Sequence, residues 1–135
     1  MTVKWDDKLL TGINEIDNQH KEIFKRILNL FDACKKGKGR EEVINTFIFL
    51  EDYIITHFKA EESILFKYNY PYHISHIAEH KQFISVINEL KQDLETHGVT
   101  GQFVINTNRK AVQWLLSHIC KEDKTLAEFI QKNTK

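Results

Sequence analysis

The sequence predicts an all-α protein, an up-down-up-down bundle of four helices with an ordered N-terminal arm. Apolar residues recur at alternating steps of three and four along four long stretches, the period of helices that pack one face into a bundle. The breaks between those stretches are short and marked by glycine or proline, which favours antiparallel neighbours. A third observation concerns function. Histidines and a glutamate replace apolar residues at inward positions of the same tracks.

The chain of 135 residues has the length of one domain, with residues 1–15 as the arm and 16–131 as the bundle. A hydrophobic fraction of 41% is enough for a packed core and excludes a largely disordered chain. Lys and Arg number 19, as do Asp and Glu, so no net field attracts nucleic acid or an anionic membrane. No apolar run approaches the roughly 18 residues of a membrane span, and the N-terminus lacks the apolar core of a signal peptide. The expected location is therefore cytoplasmic. Cys34 and Cys120 lack metal-type spacing and are expected to be reduced thiols packed like small apolar residues.

In the arm, Trp5, Leu9, Leu10 and Ile13 follow no helical period and surround Gly12, as in a segment laid over the domain. The first helix follows Ile16, His20, Ile23, Ile27, Leu30 and Cys34 and stops at Lys36-Gly37-Lys38-Gly39, a solvated connection to which no function is assigned. The second, about 41–68, follows Val43, Phe47, Leu50, Ile54, His57 and Glu61. Pro71 has a fixed φ and no N–H, so it ends one helix and admits the next. The third, about 72–95, follows His76, His80, Phe83, Ile87, Leu90 and Leu94, and Gly98 suits the left-handed residue after it. Thr100-Gly101 lies in the last connection, and the fourth helix follows Val104, Thr107, Ala111, Trp114 and His118.

His57 with Glu61, and His76 with His80, are spaced four apart, so each pair stacks on one helix face. With His20 and His118, all four helices direct imidazoles inward. Burying five imidazoles and Glu61 without a partner costs about 1–3 kcal/mol for each unsatisfied group, which points to bound metal. Asp123 lies five residues after His118, about 140° around an ideal helix, and would miss the core. One wide turn of the π type within residues 116–123 would absorb the extra residue and turn Asp123 inward. Imidazole and carboxylate without thiolate suit iron, and also zinc, copper or manganese. Five imidazoles, two carboxylates that each bridge two metals, and a bridging solvent oxygen leave one position open on a pair of octahedral ions.

Taken together, these residues resemble the hemerythrin family, specifically its single-domain bacterial members. The resemblance begins at Trp5 and Gly12-Ile13-x-x-Ile16-Asp17-x-Gln19-His20, and continues through His57-Phe58-x-x-Glu61-Glu62 and His76-x-x-x-His80. It ends at Trp114-Leu115-x-x-His118-Ile119-x-x-x-Asp123. It implies two iron ions with a bridging oxo or hydroxo group. His76, His80 and His118 would hold one iron and His20 and His57 the other, with Glu61 and Asp123 bridging. It implies reversible dioxygen binding at the two-histidine iron, for storage, delivery or buffering, rather than catalysis. Ile23, Phe24, Ile27, Ile54 and Phe58 are the expected lining of a water-poor dioxygen pocket. The competing readings are a di-iron enzyme (oxidase, peroxidase or nitric oxide reductase) and a sensor of oxygen, redox state or iron acting through a separate protein partner.

Two positions depart from many family members. Leu65 stands where Met is common, and Leu126 stands where a Tyr often follows the bridging Asp. His73 and His97 are expected at the surface near helix ends, and Glu62, beside a ligand but about 100° away, at the surface or behind the ligands.

Overall fold

A computed structural model describes residues 5–37 and 39–133, and among them lie four long helices and no strand. Helix α1 spans Asn14–Lys35, α2 Arg40–Lys67 and α3 His73–His97. Helix α4 is a run of five segments: Gly101–Asn106, a π turn at Thr107–Val112, Gln113–His118, a second π turn at Ile119–Asp123, and Lys124–Asn133. Consecutive helices pack side by side, in an all-α four-helix bundle. None is long and apolar enough to cross a membrane.

The arm is ordered where described, from Trp5. The Trp5 ring meets Phe24 of α1 edge-on at 5.4 Å, and Leu9, in a turn of 3-10 helix at Asp7–Leu9, is buried, whereas Leu10 is exposed. Asp17, in the first turn of α1, fixes the junction: its carboxylate accepts from the Thr11 hydroxyl and from the N–H groups of Thr11 and Gly12, at 2.8, 2.8 and 3.1 Å. Gly12 has φ of +90°, a backbone conformation that favours glycine, while the side-chain amide of Gln131 on α4, 2.8 Å from where a Cβ would stand, could move aside.

The hairpin between α2 and α3 is closed by Tyr70, whose N–H donates to the Leu65 carbonyl at 2.9 Å, while Pro71 separates the helices. Gly98 follows α3 with φ of +79°, as a left-handed terminator requires. Thr100 belongs to α4 as its cap rather than to a free connection: its hydroxyl accepts the Phe103 N–H at 2.9 Å, so Gly101 is already helical.

Two corrections concern α4. From Gly101 to Asp123 its buried residues are Phe103, Thr107, Ala111, Val112, Leu115, His118, Ile119 and Asp123, whereas Val104 and Trp114, expected on the inward track, are only half-buried. The reason is the first π turn, which inserts a residue into the period and rotates the inward face. Cys34 is half-buried, but Cys120 is exposed on the second π turn, not packed in the core. Two residues on from inward-facing His118, it falls on the far side of the helix.

The layers position the site. A large apolar cluster including Leu30, Phe47, Ile54, Phe83, Leu90 and Phe103 fills one end of the bundle. A smaller cluster of Leu65, Tyr70, Leu126 and Ile130 fills the other. Between them along α2 stand His57 and Glu61, along α3 His76 and His80, and along α4 His118 and Asp123. This polar layer is sealed at both ends by hydrocarbon.

Candidate metal centre

Each helix contributes to the layer from its apolar track. His20, His57, Glu61, His76, His80, His118 and Asp123 are all buried, none more than 3% exposed. They form two groups, Glu61 with His76, His80 and His118, and His20 with His57, Glu61 and Asp123, in which the potential ligand atoms lie within 4.8 Å of one another. Glu61 belongs to both.

The carboxylates face both ways. Oε1 of Glu61 contacts Nε2 of His76 and lies 3.1 Å from that of His80, while Oε2 lies 3.3 Å from Nε2 of His57. Asp123 repeats the pattern, with Oδ1 3.3 Å from Nε2 of His76 and 3.1 Å from that of His118, and Oδ2 3.0 Å from Nε2 of His20. Each carboxylate thus offers one oxygen to a three-histidine group and the other to a two-histidine group. Asp123 reaches this position because the wide turn at Ile119–Asp123, expected from its spacing to His118, rotates it inward.

Several of these buried atoms lack a well-formed hydrogen bond: both ring nitrogens of His20 and His118, Nδ1 of His76, Oε2 of Glu61 and both oxygens of Asp123. Buried polar atoms are rarely left so. Cations placed among them would satisfy lone pairs that protein donors do not, and the donor set is of imidazole nitrogen and carboxylate oxygen throughout. The residues therefore fit a pair of metal ions.

Comparison with known proteins agrees with this donor set. Residues 11–130 match the hemerythrin HHE cation-binding domain. The chain belongs to the hemerythrin family. It is 33% identical over 114 residues to a bacteriohemerythrin of Methylococcus capsulatus, covering 84% of this chain and 85% of that protein. It is 32% identical over 119 residues to one of Pseudomonas aeruginosa, covering 88% and 75%. A crystal structure of wild-type hemerythrin superposes with a TM-score of 0.83 at 30% identity, covering 96% of this chain and 98% of that one.

Without metal, the layer's electrostatics depend on mutual neutralisation. Burial disfavours ionised Glu61, but hydrogen bonds from His118, His57, His76 and His80 outweigh it and hold the carboxyl well below its usual range. Asp123 is also lowered, against burial and the nearby Glu61 charge, by His118 and His20. Burial alone would push the imidazoles down; contact with Asp123 and Glu61 instead pushes His76 up to about 9 and His118 up to about 10.

The sign of the pH dependence follows. Histidine titrates near 6.5 in an unfolded chain, so the raised groups stabilise the metal-stripped fold fully below about 6.5, and that stability is lost as pH rises through 9 to 10. The lowered carboxylates act oppositely, losing their contribution as pH falls below about 4. Metal-stripped protein is expected to melt several degrees higher at pH 6 than at pH 10, measured by circular dichroism; a flat profile would contradict this electrostatic picture.

Of the expected pocket residues, Phe58 stacks on the His80 ring at 3.9 Å with planes 6° apart and lies 5.9 Å from that of His57. Ile23, Phe24, Ile27 and Ile54 are buried in the same large cluster. His73 is half-buried at the start of α3 and His97 exposed at its end. Leu65 and Leu126, far apart in sequence, pack in one small cluster with Tyr70.

Sequence reasoning missed the contacts of Tyr70, Trp114 and Gln19, and of the two places it offered Glu62 the structure takes the one behind the ligands. Tyr70 meets the His76 ring edge-on at 6.2 Å, and Trp114 stacks on His118 at 4.7 Å. Gln19 and Glu62 reach behind ligands: Nδ1 of His57 donates to Oε1 of Gln19 at 2.6 Å, and Nδ1 of His80 to Oε2 of Glu62 at 2.9 Å. The available signal was position, since each polar side chain stands next to a ligand in sequence.

Proposed function

We propose that this protein binds dioxygen reversibly at a pair of iron ions held by His20, His57, Glu61, His76, His80, His118 and Asp123. The observation that carries this reading is the two-faced placement of Glu61 and Asp123 between a three-histidine and a two-histidine group. Two unequal metal positions follow from it, with the smaller donor set left short of ligands. When bound as iron(II), the pair supplies a coordination position and two electrons to dioxygen and recovers both when dioxygen leaves. The chain supplies the rest. Glu61 and Asp123 hold the two positions together, while Phe58 and the neighbouring isoleucines exclude water that would compete and carry off charge. The proposed role is storage, delivery or buffering of dioxygen, inside the cytoplasm.

The test is optical. Reduced, iron-loaded protein is expected to develop a visible charge-transfer band in air, lose it on deoxygenation and regain it over repeated cycles. Irreversible oxidation on first exposure, or sustained turnover of peroxide or nitric oxide, would replace this reading with that of an enzyme. His118→Ala is expected to lower iron content towards one ion per chain and abolish the band, because the two-histidine group keeps its donors while the other loses one of three. Full iron and normal colour in that variant would overturn the assignment of His118.

A further inference from the structure

Around the ligand layer runs a second ring of polar side chains, displaced by one position in sequence. Gln19 precedes His20 on α1 and reaches His57 on α2; Glu62 follows Glu61 on α2 and reaches His80 on α3. Glu79 precedes His80 on α3 and approaches His118 on α4, where 3.9 Å between Oε1 and Nδ1 is too long for a direct bond. The pattern has a geometric cause. A residue next to an inward ligand is turned about 100° from it, towards the interface with a neighbouring helix, and there meets the outer edge of that helix's ligand. Helices α1 and α2 thus each present a ligand and brace one on the next helix, and α3 brings Glu79 towards the ligand of α4.

The two close contacts differ in charge. Both oxygens are acceptors, so each facing Nδ1 carries a ring proton, and each Nε2, which meets Glu61 in the metal-free chain, would turn its lone pair to a bound ion. Gln19, behind the two-histidine group, is neutral. Glu62, behind the three-histidine group, is an acid, half-buried with its side chain 29% exposed. Among the described residues, Nδ1 of the other three imidazoles finds no hydrogen-bond partner. We infer that Gln19 and Glu62 are positioning residues for the two metal positions, and that the negative charge of Glu62 makes the three-histidine position the stronger one. This rests on the two-metal reading of the cluster above. A carboxylate behind a ligating imidazole raises its basicity, whereas an amide fixes only its orientation.

The experiment is a cobalt(II) titration of the metal-stripped full chain, followed by the visible cobalt bands against a competing chelator. The native chain is expected to bind two ions in unequal steps; binding of none or only one would overturn the two-metal reading and this inference with it. Glu62→Ala is expected to weaken the tighter step on the order of 10- to 100-fold, shift its bands and leave the weaker step unchanged. Gln19→Ala is expected to do the reverse. Glu62→Gln separates orientation from charge: the bands of the tighter step return to their native shape while the gap between the steps narrows. Two native-strength steps in Glu62→Ala, equal weakening of both, or a loss matched by an equal drop in metal-free stability would overturn the inference while leaving the two-metal reading standing.

Discussion

Glu61→Ala is expected to reduce the metal content of the protein from two ions per chain to near zero. Like Asp123, Glu61 faces both groups, and its two oxygens meet four imidazoles between them, against three for Asp123. Without it, His76 and His118 keep Asp123 as the carboxylate at their inner nitrogens, His80 keeps only Glu62 behind it, and His57 has lost its carboxylate. Neutral imidazoles and the single carboxylate of Asp123 leave two dications close together with half the anionic charge that offset their repulsion. The consequence extends to stability, because metal that binds only the folded chain adds about 4 kcal/mol for each ion present at 1,000 times its dissociation constant. The variant should therefore melt far below the native metal-loaded protein. Comparing the two after metal removal isolates the linkage, since most of the difference should then vanish. Elemental analysis together with melting curves checks both parts; a Glu61→Ala protein that retained two ions would remove the bridge from this account.

Phe58→Ala is expected to cost about 3–5 kcal/mol, the range for emptying a fully buried aromatic site. Phe58 is 3% exposed and touches five rings: His57, His80, Phe83, Trp114 and His118. It therefore belongs to the apolar core and to the wall of the metal centre at once. Loss of its ring would loosen His80, leaving the imidazole held at its edges by Glu62 and Glu61 but with nothing against its face. It would also admit water beside the ligands. The oxygenated form should decay at least tenfold faster, and Phe58→Leu, which refills much of the space, should recover most of the melting temperature and part of the lifetime. An unchanged lifetime in Phe58→Ala would separate this residue from protection of the site.

The two kinds of contact in this protein differ in how far a sequence reveals them. The tracks on α1, α2 and α3 could be read because an unbroken helix keeps one period from end to end, so Ile16 to Leu30 or His76 to Leu94 face one way. On α4 the period breaks twice. The turn at Ile119–Asp123 could be inferred because His118 and Asp123 are both ligand types and their spacing of five is wrong for a regular helix. The turn at Thr107–Val112 has no such pair across it, and Val104 and Trp114 were placed one step from the true inward residues, Phe103 and Leu115. Interhelical contacts are harder still. That Gln19 meets His57, or that Leu65 meets Leu126, depends on how helices sit against one another, and periodicity along one helix holds no information about its neighbour. Cys120 is a different case, since its place two residues from inward-facing His118 already put it on the outer face of the helix.

The central claim is that dioxygen is held and returned unchanged. Gas-exchange measurement on reduced, iron-loaded protein tests it most directly, by counting dioxygen taken up on exposure and recovered under vacuum. One molecule taken up for each pair of iron ions, and the same molecule recovered with the iron returned to its reduced form, is the predicted result. Dioxygen that is consumed, with the iron left oxidised and nothing released, would contradict it.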